Sequence, residues 1–151
     1  MFFKKIETEG LAHYSYMIGD ADDMAVIDPM RDVQVYMHEA RIAGMRIKYI
    51  LETHRNEDFV VGSMELAEKT GATVYISDHE DLGHVYGKRI RDGFQLNIGK
   101  ISLKAIHTPG HTLGHMSYAV YEEGVEQAYL AFTGDCMFMG ALGRTDVFCQ
   151  A

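Results

Sequence analysis

The sequence predicts an α/β layered domain, and three observations carry the prediction. Apolar and aromatic segments of strand length recur along the chain, two stretches show helical spacing of apolar residues and end at a glycine, and Gly-containing turns join several strand-length segments in pairs. Strand pairs mixed with two helices are the pattern of sheets layered against helices. With 151 residues, 47% of them hydrophobic, the chain can bury one ordinary core, so residues 1–151 are read as a single domain.

The elements follow in order. FFKKIE, YSYMIG and MAVID read as short strands. Asp32 is placed to cap a helix running to Ala43, in which Val33, Tyr36, Met37, Ala40 and Ala43 keep three- and four-residue spacing and Gly44 suits the position past the end. IKYILE is an apolar run bounded by loops, a buried strand leading to His54. Asp58 is a candidate cap for a second helix with Val60, Met64 and Ala67 on one face and Gly71 as its end. ATVYIS is another strand, and residues 78–93 are polar and irregular. FQLNI and ISLKAIH form a hairpin around Gly99-Lys100, and MSYAVY pairs with QAYLAFT across a Glu-Glu-Gly turn. After the Gly-rich GALGRTDVF stretch no further element begins, which reads as part of a larger domain.

Composition removes several classes of function. Fourteen basic against 22 acidic residues give a formal net charge of −8, a field that repels nucleic acid and anionic membranes. No apolar run approaches the ~20 residues of a spanning helix, and MFFKKIETEG has no signal-peptide pattern. Cys136 and Cys149 are too few for a disulfide framework, so a reduced cytoplasm is the simplest location.

The informative pattern is a set of side chains at strand ends. IKYILE leads to Thr53-His54, ISLKAI leads to HTPGHT with His107 and His111, and AYLAF leads to Thr133-Gly134-Asp135. Sites gather where strands give way to loops, because the strands hold loop residues rigidly yet leave them accessible. Two imidazoles and one carboxylate converging on a point can hold Fe(II) with open positions, or Zn²⁺ with an activated water. Each residue also has an ordinary reading: His54 as a strand end, His111 as a polar residue beyond a Pro-Gly turn, Asp135 as a turn closer. Their joint recurrence favours the metal. For Asp58, capping and ligation weigh equally. His115 ranks below His111 as a ligand, His79 and His84 belong to a solvated loop, and Cys136 reads as a small buried apolar residue.

THxNxD at 53–58, HTPGHT at 107–112, FTGD at 132–135 and GRTD at 143–146 resemble, in order and spacing, the metallo-β-lactamase superfamily. The resemblance is greatest to its persulfide dioxygenase branch, including bacterial members fused to rhodanese domains; VIDPMRD at 26–32 looks like a segment of that fused group. It implies an αββα sandwich of which this chain holds the first half, leaving an apolar face that a second copy of the chain would cover. It also implies one iron held by His54, His111 and Asp135, since Asn56 and Phe59 stand where a two-zinc hydrolase needs imidazoles. The implied reaction is oxidation by O₂ of a small-molecule thiol persulfide, such as glutathione persulfide, to sulfite. Arg144 would stand near the site, holding Asp146 or an anionic group of the substrate, and Asp58 would orient a ligand imidazole. The alternatives are a zinc-dependent thioester hydrolase of the glyoxalase II type and a catalytically silent domain of the same fold.

Overall fold

The computed structural model describes residues 1–10, 13–55, 60–80, 83, 86–138 and 140–145. Six strands build the first sheet in chain order: β1 (Phe2–Glu7), β2 (Tyr14–Asp20), β3 (Asp23–Ile27), β4 (Arg46–Leu51), β5 (Thr73–Ser77) and β6 (Lys88–Ile90). The first three pair antiparallel, whereas β3 to β6 run parallel. Parallel neighbours require a crossover. Helices α1 (Gln34–Ala43) and α2 (Ser63–Thr70) supply the first two, each ended by a glycine in the left-handed conformation. The second sheet is antiparallel, with β7 (Gln95–Ile98), β8 (Ile101–His107), β9 (Met116–Glu122) and β10 (Leu130–Phe132) side by side in reverse order. A 3₁₀ turn (Gly134–Cys136) and a small hairpin of β11 (Met137–Phe138) and β12 (Ala141–Leu142) follow.

Burial on both faces explains the composition of the central strands. Val26, Ile50 and Val74 point toward the helices and pack with Tyr36, Ala40 and Leu66. Ala25, Ile27 and Leu51 point the other way, against Leu103, Met116, Tyr118 and Val120 of the second sheet. Fully burying one such Leu or Ile contributes about 1.5–3 kcal/mol, so the two cores fix the layers against each other. The α/β sandwich expected from the sequence is present as helices, sheet and sheet. Among the described residues no helix lies on the outer face of the second sheet. None is long and apolar enough to cross a membrane.

Several expectations require correction. Val33, not Asp32, is the residue preceding α1; Asp32 Oδ1 still accepts the Gln34 N–H at 3.1 Å, a local bond typical of turns. The second helix begins only at Ser63, after Gly62, and buries Leu66, while Val60 and Met64 are exposed. Their apolar character matched helical spacing, but they lie off the face that packs. The stretch read as irregular contains β6, whose three residues pair with β5 beside a polar loop. Asp58, proposed as a cap or ligand-orienting residue, lies outside the described residues, as do Asn56, Phe59 and Asp146.

Candidate metal centre

His54 sits three residues beyond the end of β4, at the carboxyl edge of the parallel strands where such sheets place their sites. Its loop is anchored from across the sandwich: the Met116 N–H donates to the Thr53 carbonyl at 2.6 Å and the Tyr118 hydroxyl to the Glu52 carbonyl at 2.7 Å. His111 lies in the loop from β8 to β9, which is closed at its neck by the Thr108 N–H donating to the His115 carbonyl at 2.9 Å. The Thr112 hydroxyl bonds Glu80 Oε1 at 2.5 Å and ties the same loop to the region after β5. Asp135 occupies the 3₁₀ turn after β10.

These three residues converge. Nε2 of His54 and Nε2 of His111 each stand 3.7 Å from Asp135 Oδ2, and the three ligand atoms all lie within 4.8 Å of one another. Among the described residues no other group of three or more His, Cys, Asp or Glu side chains does so. Ligands bound at about 2.1 Å to one ion stand about 3.0–3.4 Å apart, so each imidazole need approach Asp135 by only a few tenths of an ångström. The imidazoles meet edge to face with centroids 5.0 Å apart. His54 is buried, while Asp135 is 40% exposed, so the centre opens on the aspartate side.

Both imidazoles are held from behind with Nε2 forward. Thr53 donates its N–H to Asp28 Oδ1 and its hydroxyl to Asp28 Oδ2, each at 2.7 Å. With its proton committed, the hydroxyl accepts from Nδ1–H of His54 at 2.9 Å, leaving a lone pair on Nε2. On the other side Nδ1 of His111 donates to the Arg144 carbonyl at 3.2 Å. Arg144 touches the centre through its backbone carbonyl. Burial, helped by the neighbouring His115 and His111, pulls His54 down to about 3, so its imidazole is neutral at physiological pH. A neutral imidazole is the form that ligates a metal. The donor set and its orientation therefore fit one small divalent ion.

Three residues not assigned to the site complete it. Asp28 is buried, stands at the end of β3 with a left-handed φ of 49°, and has its carboxyl pushed up to about 7, chiefly by burial. A strained non-glycine residue in the left-handed region is a recurrent mark of functional loops. Thr53 is fully buried and relays Asp28 to His54. His115, also fully buried, stacks on the His54 ring with centroids 5.1 Å apart, and its Nδ1 bonds the Thr108 hydroxyl at 2.9 Å. Gly134, with φ 46°, lies against both: a Cβ there would come within 2.8 Å of His115 Nε2. Cys136, expected to be buried, is partly exposed on the turn. His79 and His107 stack on each other with centroids 4.1 Å apart, outside the cluster.

A cleft of about 610 Å³ opens from the centre between the sheets, lined by Tyr16, Leu130, Phe132, Met137 and Phe138 beside His54 and Asp135. Phe132 packs at a tilt against Tyr16, with centroids 5.1 Å apart, and stacks on Phe3 at 6.3 Å, making one wall apolar.

Comparison with known proteins agrees with this architecture. A hydroxyacylglutathione hydrolase from Maricaulis maris is 33% identical over 136 residues, covering 87% of this chain and 50% of the relative. This chain thus spans about half the length of that curated relative. A metallo-beta-lactamase structure from Staphylococcus aureus superposes with a TM-score of 0.90 at 32% identity, over 97% of this chain and 47% of the other. The structure of ETHE1 from Myxococcus xanthus gives 0.85 at 28%, over 97% and 62%. The family profile described as metallo-beta-lactamase superfamily matches residues 8–150, and the chain belongs to that superfamily.

Proposed function

We propose that this domain serves a one-metal centre that oxidises a small-molecule thiol persulfide with O₂, releasing sulfite and the free thiol. The supporting observation is the ligand set: two imidazoles and one carboxylate gather at one point, and positions 56 and 59 hold Asn and Phe, which cannot bring imidazoles for a second ion. Two histidines and a carboxylate leave adjacent coordination positions open, the arrangement of non-haem Fe(II) oxygenases. In balance, a persulfide, O₂ and one water give the thiol, sulfite and two protons. The chemistry that Fe(II) supplies in such a setting is to bring persulfide and O₂ together and pass electrons between them.

The chain's own residues do the rest. Asp28 and Thr53 keep the His54 proton on Nδ1, and the Arg144 carbonyl does the same for His111, so that both Nε2 atoms face the centre. Tyr16, Phe132 and Phe138 line the approach and limit water around the reacting sulfur. The carrier part of the substrate lies along these rings, with its sulfur at the end marked by His54 and Asp135.

A second reading has a specific observation behind it. Curated relatives are named hydroxyacylglutathione hydrolase, which speaks more directly for zinc-dependent thioester hydrolysis than for oxygen chemistry. What favours the oxygenase is the missing imidazole pair. Protein reconstituted anaerobically with Fe(II) or with Zn(II) separates the two. The oxygenase reading expects O₂ uptake matched by sulfite from glutathione persulfide with iron only. Thioester cleavage by the zinc form, without O₂ uptake by the iron form, overturns it in favour of hydrolysis.

A further inference from the structure

The cleft wall formed by the first two strands carries a charge that the metal chemistry does not use. Pairing of Lys5 with Tyr16 and of Glu7 with Tyr14 puts these residues on the face that turns toward the second sheet. Along that face Phe3 and Tyr16 stack at 6.2 Å and join Phe132 in the apolar wall. Lys5 stands in the same wall, with Nζ 3.8 Å from the centroid of the Tyr14 ring.

Three features separate Lys5 from an ordinary surface lysine. First, its neighbour Lys4, on the opposite face, is tied to Glu39 at 2.6 Å, whereas among the described residues Lys5 is in no ion pair. Second, it is the one Lys or Arg among the described residues lining the cleft, in a chain of formal net charge −8. Third, a lysine ammonium on a flexible stem normally samples many rotamers, and the Tyr14 face holds it over the opening. Its positive charge is therefore positioned but not neutralised. The cleft, about 610 Å³, accepts a ligand of roughly tripeptide size.

We propose that Lys5, held by Tyr14, is a specificity-determining residue that reads a carboxylate on the thiol carrier, at the end of the substrate remote from the metal. This rests on the reading that the cleft takes a thiol-linked substrate. An anionic carrier would be drawn into a cleft whose surroundings are otherwise acidic, and a neutral or esterified carrier would lack that attraction. The attraction weakens with salt, because Lys5 is solvent-exposed.

Binding of reduced glutathione and of its diethyl ester tests the proposal without turnover. Isothermal titration of wild type, Lys5→Gln and Lys5→Arg at low and at physiological ionic strength supplies the comparison. Wild type and Lys5→Arg should bind glutathione about two- to fivefold more tightly than the ester at low salt, with a smaller ratio at higher salt. Lys5→Gln should lose the preference while binding the ester as wild type does and melting at the same temperature. Equal binding of acid and ester by wild type, or a preference that survives in Lys5→Gln, overturns the role of Lys5 and leaves the cleft reading intact. Failure of wild type to bind either ligand overturns the cleft reading beneath it.

Discussion

Replacing Asp28 by asparagine reverses the hydrogen-bond chain behind His54. The carboxylate accepts both the N–H and the hydroxyl of Thr53 at 2.7 Å, and that hydroxyl in turn accepts from His54 Nδ1–H at 2.9 Å. Asparagine retains one acceptor for the N–H but presents an amide N–H₂ to Thr53 Oγ1. The hydroxyl proton then turns to Nδ1 of His54, and the imidazole proton moves to Nε2, the atom that faces the other ligands. Asp28 is 5% and Thr53 0% exposed, so solvent cannot supply a substitute acceptor. Loss of such an outer partner costs about 10- to 100-fold in metal affinity, equivalent to about 1.4–2.7 kcal/mol. The assay is competition for Co²⁺ or Zn²⁺ against a chromogenic chelator, alongside long-range ¹H–¹⁵N spectra that report the His54 tautomer in the metal-free protein. Weaker binding together with an Nε2–H tautomer is expected. Unchanged affinity with the Nδ1–H tautomer retained would refute the relay.

Three further outcomes follow from the same structure. Gly134→Ala should lose about 1–3 kcal/mol of stability through its positive φ and collisions with Thr53 and His115, and should weaken metal binding by displacing Asp135; thermal melting and chelator competition measure both. Tyr118→Phe removes the donor to the buried Glu52 carbonyl and should cost about 1–3 kcal/mol in urea unfolding. Asp28 also makes a pH-dependent difference, because burial raises its carboxyl from 3.8 to about 7. The folded state keeps a proton that the unfolded chain has released over this range, so the Asp28 contribution falls as pH rises from about 4 to about 7, by at most about 1.4 kcal/mol per unit. His54 and His115, whose pKa values are lowered to about 3 and about 4, give an opposite slope shared by wild type and variant. The stability of metal-free Asp28→Asn relative to wild type should therefore improve steadily across that window, and a difference that stays constant or shifts in favour of wild type as pH rises would contradict the assignment.

Much of this architecture was legible in the sequence because strand and helix periodicity reflect burial directly. Tyr36, Ala40 and Leu103 occupy the buried positions their spacing demands. The candidate ligands were legible for a different reason: strand ends followed by His or Asp recur three times, and the superfamily motifs singled out His111 of HTPGHT, which the fold brings to His54 and Asp135. Val60 and Met64 misled because apolar spacing says nothing about where a helix begins, and Gly62 packs against Met30 where the chain turns into α2. β6 escaped notice because three residues, two of them charged and exposed, leave too little pattern. Asp28, Thr53 and His115 carry ordinary loop and strand-end chemistry in sequence; only folding brings the carboxylate of one strand end to the hydroxyl of the next. The available signal for Asp28 was its place in VIDPMRD at 26–32, which resembled a family segment without assigning the carboxylate a role.

Metal content per chain is the most direct measurement of the central claim. Elemental analysis of protein expressed with supplementary iron and purified anaerobically should find about one transition-metal ion per chain in wild type. His54→Ala, His111→Ala and Asp135→Ala should each fall to a small fraction of that. Two ions per chain, or one that survives all three substitutions, would contradict a single centre built from these residues.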